Sequence, residues 1–334
     1  MHRDGTRAGE RLRRLTAPGR RKARFNWPLA LSFGICRSGP RLAYTQVHMS
    51  AVPYISAVAP DQSWRDQLEL LLASTGEGVY GIDLEGRCVF TYSIANFPIL
   101  RCLEQIRNDV CYHDADVKII AIGGGFSYGQ LGMSHHATED IAILRALPNI
   151  TVVVPSDEWC AAEAVAALAS TPGPAYLRLD KSSSQVGQRT GETFTLGKIR
   201  PLRDGNDVAL FATGGIVSEA LLAADLLVAQ GIGASVIDVH TIKPLDKDGI
   251  VAMARQTRAV VTIEEHNVIG GLGGAVAETL LEAGVTGVAF RRIGLQDQYS
   301  SVVGDQGYLR QIYHLDAAAI VASIIGLLSH NSKP

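Results

Sequence analysis

Residues 123–149 read GGGFSYGQLGMSHHATEDIAILRALPN, and this stretch sets the fold. The six residues before it, 117–122, form a short apolar run bounded by turn residues, the pattern of a buried strand. Three glycines end that strand, and a polar loop follows. Residues 139–146 then show helical spacing until Pro148 stops them. Working outward, residues 151–154 and 175–179 read as strands around a helix at 158–169. Upstream, 87–95 reads as a strand. Residues 99–108 read as a helix with Leu100, Leu103 and Ile106 on one side, and 64–73 as an amphipathic helix. Alternating strands and helices imply a parallel sheet covered on both faces.

The stretch 181–205 breaks the rhythm with Ser182, Ser183, Ser184, Gly187, Gly191 and Gly205, and reads as a linker. A second alternating block follows. Strands are predicted at 208–212, 234–239, 259–263 and 287–291, with helices at 218–230, 248–255, 274–283 and 317–328. The predicted fold class is α/β, with two consecutive doubly wound domains and mainly parallel sheets. Their predicted limits are 51–185 and 206–330, joined by a linker at 186–205.

Bulk properties agree with this reading. The 334 residues suit two domains, and 47% hydrophobic residues can fill two cores. Aromatics make up only 6% while there are 34 glycines, a mix that lets helices lie close on sheets. The five cysteines show no CxxC or metal-ligand spacing, so they read as reduced thiols in a cytoplasmic protein. No run approaches the ~18 apolar residues of a membrane span. The net charge of −2 hides an asymmetry. Residues 1–50 hold eleven Lys and Arg against Asp4 and Glu10, a net +9, which leaves −11 for the rest. An Arg-rich, acid-poor leader fits an organelle transit peptide, a nucleic-acid arm or a disordered basic extension. We expect the last, with Met49 as the next start and residues 1–48 dispensable for folding. No nucleic-acid or membrane partner is expected.

The loop after the triple glycine lies at the carboxyl end of a parallel strand, where open α/β sheets bind ligands. His135 and His136 sit just before the next helix. A neutral imidazole there can hydrogen-bond a substrate hydroxyl or move a proton, or it can simply tie the loop together. Thr138 is placed to cap the helix, with Glu139 and Asp140 at its positive end. No third ligand is spaced for a metal, and the glycines complete no dinucleotide or P-loop fingerprint.

The segment GGGFSYGQLGMSHHATEDIAILRALPNITVVVPSD (123–157) strongly resembles the pyrimidine-binding domain of the transketolase family. FTYSIANFPILRCLEQIRNDVCYH (90–113) resembles the aromatic-rich strand and helix of the same domain. ATGGIVSEALLAADLLVAQGI (212–232), TIKPLD (241–246) and VVTIEEHNVIGGLGGAVAE (260–278) resemble the family's C-terminal domain. The resemblance spans about residues 84–328, with split relatives, in which this half is its own polypeptide, fitting better than full-length ones. It implies thiamine diphosphate held between two chains. A partner subunit with the pyrophosphate-binding domain would hold Mg²⁺ through a GDG-type loop that this chain lacks. This chain would supply the aminopyrimidine pocket, with Tyr92 as first and Phe97 as second stacking candidate. His135 falls where the family places a histidine facing the sugar substrate. Lys181 falls near a basic residue for the substrate phosphate. A homodimer or heterotetramer is implied, because family sites lie at chain interfaces.

Two positions depart from the family pattern. Leu131 replaces an acidic residue that reads a sugar hydroxyl, so the usual ketose-phosphate discrimination is not expected. The family's catalytic glutamate segment resembles GIAEQNMVGVAAGLALEG, whereas residues 71–90 read LLASTGEGVYGIDLEGRCVF. Counting back from Gly86 places Leu72 at the glutamate position, with Glu69, Glu77 and Glu85 in the wrong motif. A loss on the order of 40 residues, first strand included, is expected to open the sheet and uncover its core. The resulting expectation is a β-type subunit of a split transketolase, moving a two-carbon ketol unit between sugars or sugar-like acceptors. The alternatives are a dehydrogenase E1-β-like or deoxyxylulose-phosphate-synthase-like subunit, and a non-catalytic assembly or regulatory subunit.

Overall fold

The computed structural model describes residues 88–181 and 184–330. The predicted helix at 64–73, the basic leader and the glutamate-position segment lie outside them. The first sheet begins with β1 (Val89–Ile94), β2 (Val117–Ile122), β3 (Thr151–Val153) and β4 (Ala175–Leu179). The chain continues through β5 (Arg200–Arg203), β6 (Val208–Thr213), β7 (Ala234–Asp238), β8 (Thr241–Lys243), β9 (Ala259–Asn267) and β10 (Ala289–Leu295). The two five-stranded sheets run β1-β2-β4-β3-β8 and β10-β9-β6-β7-β5. Each is parallel except for one antiparallel edge strand, β8 and β5 respectively. β2 and β6 are almost wholly apolar and almost wholly buried, as strands with both faces covered must be.

Helices cover the sheets. α1 (Asn96–Arg101) follows β1. The predicted helix at 99–108 is broken at Cys102 into α1, a turn at Leu103–Gln105 and a π-helical segment at Ile106–Cys111. Next come α2 (Asp140–Ala146), α3 (Glu158–Ser170), α4 (Val217–Val228), α5 (Lys247–Ala254), α6 (Leu272–Glu282), α7 (Gln306–Ile312) and α8 (Ala317–His330). Asp157, Asp246 and Asp305 cap α3, α5 and α7 by accepting backbone N–H bonds from Cys160, Gly249 and Tyr308.

One core is shared between the sheets. It joins Ile119, Val152 and Tyr176 of the first sheet to Phe211, Ile237 and Val260 of the second. A smaller core lies under α3, with Ile120, Val165, Leu168 and Leu177. A third lies under α4 and α8, and it includes Phe126 from the triple-glycine loop. By length and hydropathy, residues 306–329 would pass for a membrane span. They form two helices that bury Leu309, Ile320, Ile324, Leu327 and Leu328 in this third core.

Three expectations need correction. The linker at 186–205 is not purely a linker, because β5 inside it extends the second sheet. Its Arg200 is buried against Asp157 at 2.6 Å and Glu192 at 2.8 Å, and donates to the Gly187 carbonyl at 2.5 Å. Nor is the region 206–330 self-contained, since β8 pairs with β3 of the first sheet. Thr138 does not cap α2. The cap position is Glu139, which makes no side-chain bond, while the buried Thr138 uses its carbonyl to accept from Asn267 N at 2.8 Å.

The Arg200 network contains Asp238, which accepts from Ser156 Oγ at 2.5 Å and lies 3.7 Å from Arg200. Burial pushes its carboxyl up to about 7, outweighing the Ser156 bond and the arginine. Unfolded, that carboxyl titrates near ~3.9. The folded state therefore holds the proton more tightly. The resulting stability is present below the unfolded value and is lost as pH rises towards 7. Asp238→Asn cannot ionise, so its melting temperature should gain on wild type steadily between about pH 4 and pH 7.5. Parallel melting curves for the two proteins across that range would contradict the assignment.

Candidate functional site

The triple-glycine loop is closed at its base. Gly125 N donates to Ala137 O at 2.9 Å and Ala137 N to Gly125 O at 3.1 Å, an isolated antiparallel bridge. Between them the chain makes two 3₁₀ turns, Gly129–Leu131 and Met133–His135, hinged at Gly132 with φ +81°. Gly123 adopts φ +98° with the Tyr128 ring against it, and a Cβ there would lie 2.2 Å from that ring. Only glycine combines that backbone conformation with so close an approach.

Two side-chain groups stand at the carboxyl ends of the parallel strands. The first follows β1 and meets the loop tip. His135 is half-buried, its Nδ1 is 3.1 Å from Ser134 Oγ, and its ring meets Phe97 edge-on at 5.1 Å between centroids. Asn96 Nδ2 donates to Ser134 O at 2.6 Å, which ties α1 to the turn carrying the histidine. The Arg101 guanidinium lies 4.2 Å over the Phe97 ring. The second group gathers on Tyr128. Lys181 Nζ sits 4.0 Å over its ring, and Lys181 N donates to Ser127 Oγ at 3.2 Å. Burial raises the Tyr92 hydroxyl above its usual value, with the nearby Tyr128 phenol adding to the effect.

The four predicted site residues thus divide. Phe97 and His135 come together, whereas Tyr92 packs partly on the core under α3 and belongs with Tyr128 and Lys181. His136 turns inward. It is buried, 3.4 Å from Gly129 O through Nε2 and edge-on to Phe126 at 5.2 Å. Burial lowers its pKa, which favours the neutral ring. Asn96 and Tyr128 were missed. Tyr128 stands inside the quoted loop, but nothing in its spacing marks it as a platform for Lys181.

Beneath the loop lies a buried ionic junction that sequence reasoning also missed. Arg178 at the end of β4 is fully buried. It pairs with Asp140 of α2 at 3.0 Å and donates to the carbonyls of Ala137 at 2.8 Å and Glu265 at 3.0 Å. Tyr176 Oη donates to the same Asp140 at 2.6 Å. Asp180 accepts from Gly215 N at 2.6 Å. Burial raises its pKa, Arg178 opposes that rise, and Glu265 adds to it.

The arrangement fits one part of a bound cofactor. Phe97 is half-buried between buried neighbours Asn96 and Pro98, so part of its ring stays accessible beside His135, as a flat heteroaromatic ring requires. Among the described residues, no group of three His, Cys, Asp or Glu is placed to hold a metal ion.

Comparison with known proteins follows the same outline. A model of the transketolase pyrimidine-binding domain matches residues 77–186, and one of the transketolase C-terminal domain matches 197–320. The chain is similar to the 6-deoxy-6-sulfo-D-fructose transketolase subunit SqwH of Clostridium sp. (strain MSTE9), at 39% identity over 72% of this chain and 74% of that one. It is also similar to an apulose-4-phosphate transketolase subunit of Phocaeicola vulgatus, at 37% identity over 72% of this chain and 76% of that one. Among solved structures, a split-gene transketolase described as an inactive β4 tetramer matches with a TM-score of 0.63. It is 38% identical over 72% of this chain and 75% of that one.

The ionic junction leaves no room above it. A Cβ on Gly124 would lie 2.2 Å from Asp180 Oδ1 and 2.6 Å from Arg178 Nε. We expect Gly124→Ala to destabilise the protein by about 1–3 kcal/mol through overpacking. Urea denaturation measures it, and a midpoint equal to wild type would show that the junction yields freely.

Proposed function

Because the chain belongs to the transketolase family and carries its pyrimidine-binding and C-terminal domains, we propose that it is the β-type subunit of a split enzyme. Its reaction is ketol transfer to a sugar or sugar-like acceptor. The observation that carries this reading is the Phe97–His135 pair, with ring centroids 5.1 Å apart, formed by α1 after β1 and the loop after β2. Thiamine diphosphate, when bound, supplies the carbanion chemistry. This chain's residues bind and orient around it. Phe97 contacts the aminopyrimidine ring. His135, steadied by Ser134 and through it by Asn96, faces the sugar hydroxyls and can take or return a proton there. Lys181, held over Tyr128, offers a point charge to an anionic group on the substrate.

A partner subunit supplies the diphosphate and Mg²⁺ site. The rim around His135 suits such a partner. Leu131 and Met133 are 55% and 50% exposed, and on the adjoining loop Tyr299 and Val303 are 68% and 61% exposed. The two loops touch, with Gly304 N donating to Gly129 O at 3.4 Å. Apolar side chains so grouped mark an interaction surface. The assembly is a dimer of this chain or a heterotetramer with the partner.

The test is reconstitution with a pyrophosphate-domain subunit, thiamine diphosphate and Mg²⁺, assayed for a product two carbons longer than the acceptor. His135→Ala should lower kcat by about 10²-fold or more. Lys181→Ala should raise KM for an anionic substrate by ~10-fold or more while kcat holds, since it removes one charge-assisted bond. Unchanged kinetics in both variants would remove the site assignment. The chain without a partner should bind the cofactor no tighter than micromolar by calorimetry.

The altered segment 71–90 favours a second reading, a non-catalytic assembly subunit. Proton exchange at the cofactor's thiazolium carbon separates the two. Exchange in the reconstituted complex no faster than in free cofactor supports the second reading. Fast exchange abolished by Glu69→Gln or Glu77→Gln supports the first, with that carboxyl at the pyrimidine nitrogen.

A further inference from the structure

One buried carboxylate of the other domain bonds the base of the loop that carries His135. Glu265, near the end of β9, accepts from Phe126 N at 2.5 Å and from Gln306 Nε2 at 2.8 Å through Oε1. Its Oε2 accepts from Arg310 Nε at 2.5 Å. Phe126 is the first residue past the bridge at Gly125, and its ring is fully buried in the third core, stacked on Tyr313 at 5.4 Å. The opposite side of the bridge, the Ala137 carbonyl, is held by Arg178, which also binds the Glu265 carbonyl. One end of the 125–137 loop therefore ends directly on the Glu265 carboxylate, and the other reaches the Glu265 main chain by way of Arg178. Gly125 is what lets the carboxylate in, for a Cβ there would lie 2.3 Å from Oε1.

We propose that Glu265 is a positioning residue for ketol transfer: it acts through Phe126 and the bridge to fix where the His135 ring stands. This rests on the role assigned to His135 above. The adjacent residue shows that the arrangement is specific. Glu264 is equally buried, but its oxygens accept from Leu272 N at 2.7 Å and Gly273 N at 2.8 Å, so it caps α6 and leaves the loop alone. Successive strand residues point to opposite faces, which sends one carboxylate to a helix and the next to the site. Apart from Arg178 on the Ala137 carbonyl, the remaining main-chain supports of the loop are neutral. Asn267 N donates to Thr138 O at 2.8 Å and Gly304 N to Gly129 O at 3.4 Å. With Glu265 neutralised, the Phe126 amide keeps an acceptor of weaker field, and the Arg310 guanidinium faces an amide in place of a carboxylate. The loop base loosens, and a shift of the reacting group by an ångström is enough to cost a large part of the rate.

The experiment compares Glu265→Gln with Glu264→Gln in the full chain. Three readouts are taken: amide hydrogen exchange over residues 125–137, the NMR signal of the His135 ring, and kinetics in the reconstituted complex. We expect Glu265→Gln to speed exchange in that loop by about ten-fold and move the His135 signal. It should lower kcat by roughly ten-fold or more, with KM within about two-fold. Glu264→Gln should lower the melting temperature without these effects. If Glu265→Gln fails to fold, Gln306→Ala, which removes one donor to the same carboxylate, should change all three readouts in the same direction by less. A loop and His135 signal unchanged in Glu265→Gln, or changed equally in Glu264→Gln, would overturn the proposal. If the wild-type complex transfers no ketol unit, the functional reading fails, and the exchange and NMR readouts still decide whether Glu265 holds the loop.

Discussion

Among the described residues Arg178 is the largest side chain with no exposure, and the arrangement around the site follows from partnering its charge. Taking such a cation out of water costs several kcal/mol unless geometry and hydrogen bonds return it. Asp140 returns charge from the start of α2, and the Ala137 and Glu265 carbonyls take two further bonds from one nitrogen. These partners come from α2, the loop base and β9, so each element is held in place by the same group. Nearby, Glu265 and Arg310 repeat the pairing one layer further into the second domain. Burial raises the Asp180 carboxyl above its usual range, Arg178 opposes that rise, and Glu265 adds to it.

The two sheets are consequently not independent. They face each other across one shared core, β8 crosses from the second region to close the first sheet, and Phe126 crosses the other way into the third core. A chain divided near residue 205 would expose apolar surface on both pieces and strand Arg178 without the Glu265 carbonyl. The matches of both transketolase domain models to this one chain are consistent with that constraint. Here the packing argument and the family architecture agree for a physical reason: a buried charge network cannot be cut without leaving an uncompensated ion.

Local pattern made most strands legible. The bounds 117–122 and 175–179 match the observed strands to the residue, because each is a short, mainly apolar run, with one buried cation, between turn signals. β5 and β8 were not legible. Each is short and lies on a sheet edge, and β8 is followed by Pro244; pairing with distant strands fixes them, and local alternation does not show it. β9 was read as ending at Ile263 because EEHN is polar, although the strand runs to Asn267. There the same four residues cap α6, hold the loop and receive the Ala142 amide on His266, all through contacts more than a hundred residues away or in the following turn. The site was half legible for a similar reason. His135 and Phe97 stand in recognisable motifs, but only the folded chain shows that Tyr92 packs partly on the core under α3 and that His136 turns inward.

The loop is therefore rigid where it is buried and bare where it is exposed, and that gradient has a functional logic. At its base, main-chain groups end on charged, desolvated partners, whose bonds are the strong kind. At its tip, Leu131 and Met133 are exposed beside His135 among the described residues. A substrate-facing histidine needs both. Its position must be set before the substrate arrives, or ordering it would subtract from the rate. Its surroundings must also become dry, since hydrogen bonds and charges act most strongly where water is excluded. On the role proposed for His135, this chain would provide the first condition through its own second domain. The second condition calls for apolar cover from outside, and the exposed Leu131, Met133, Tyr299 and Val303 are the surface on which such a cover would seat.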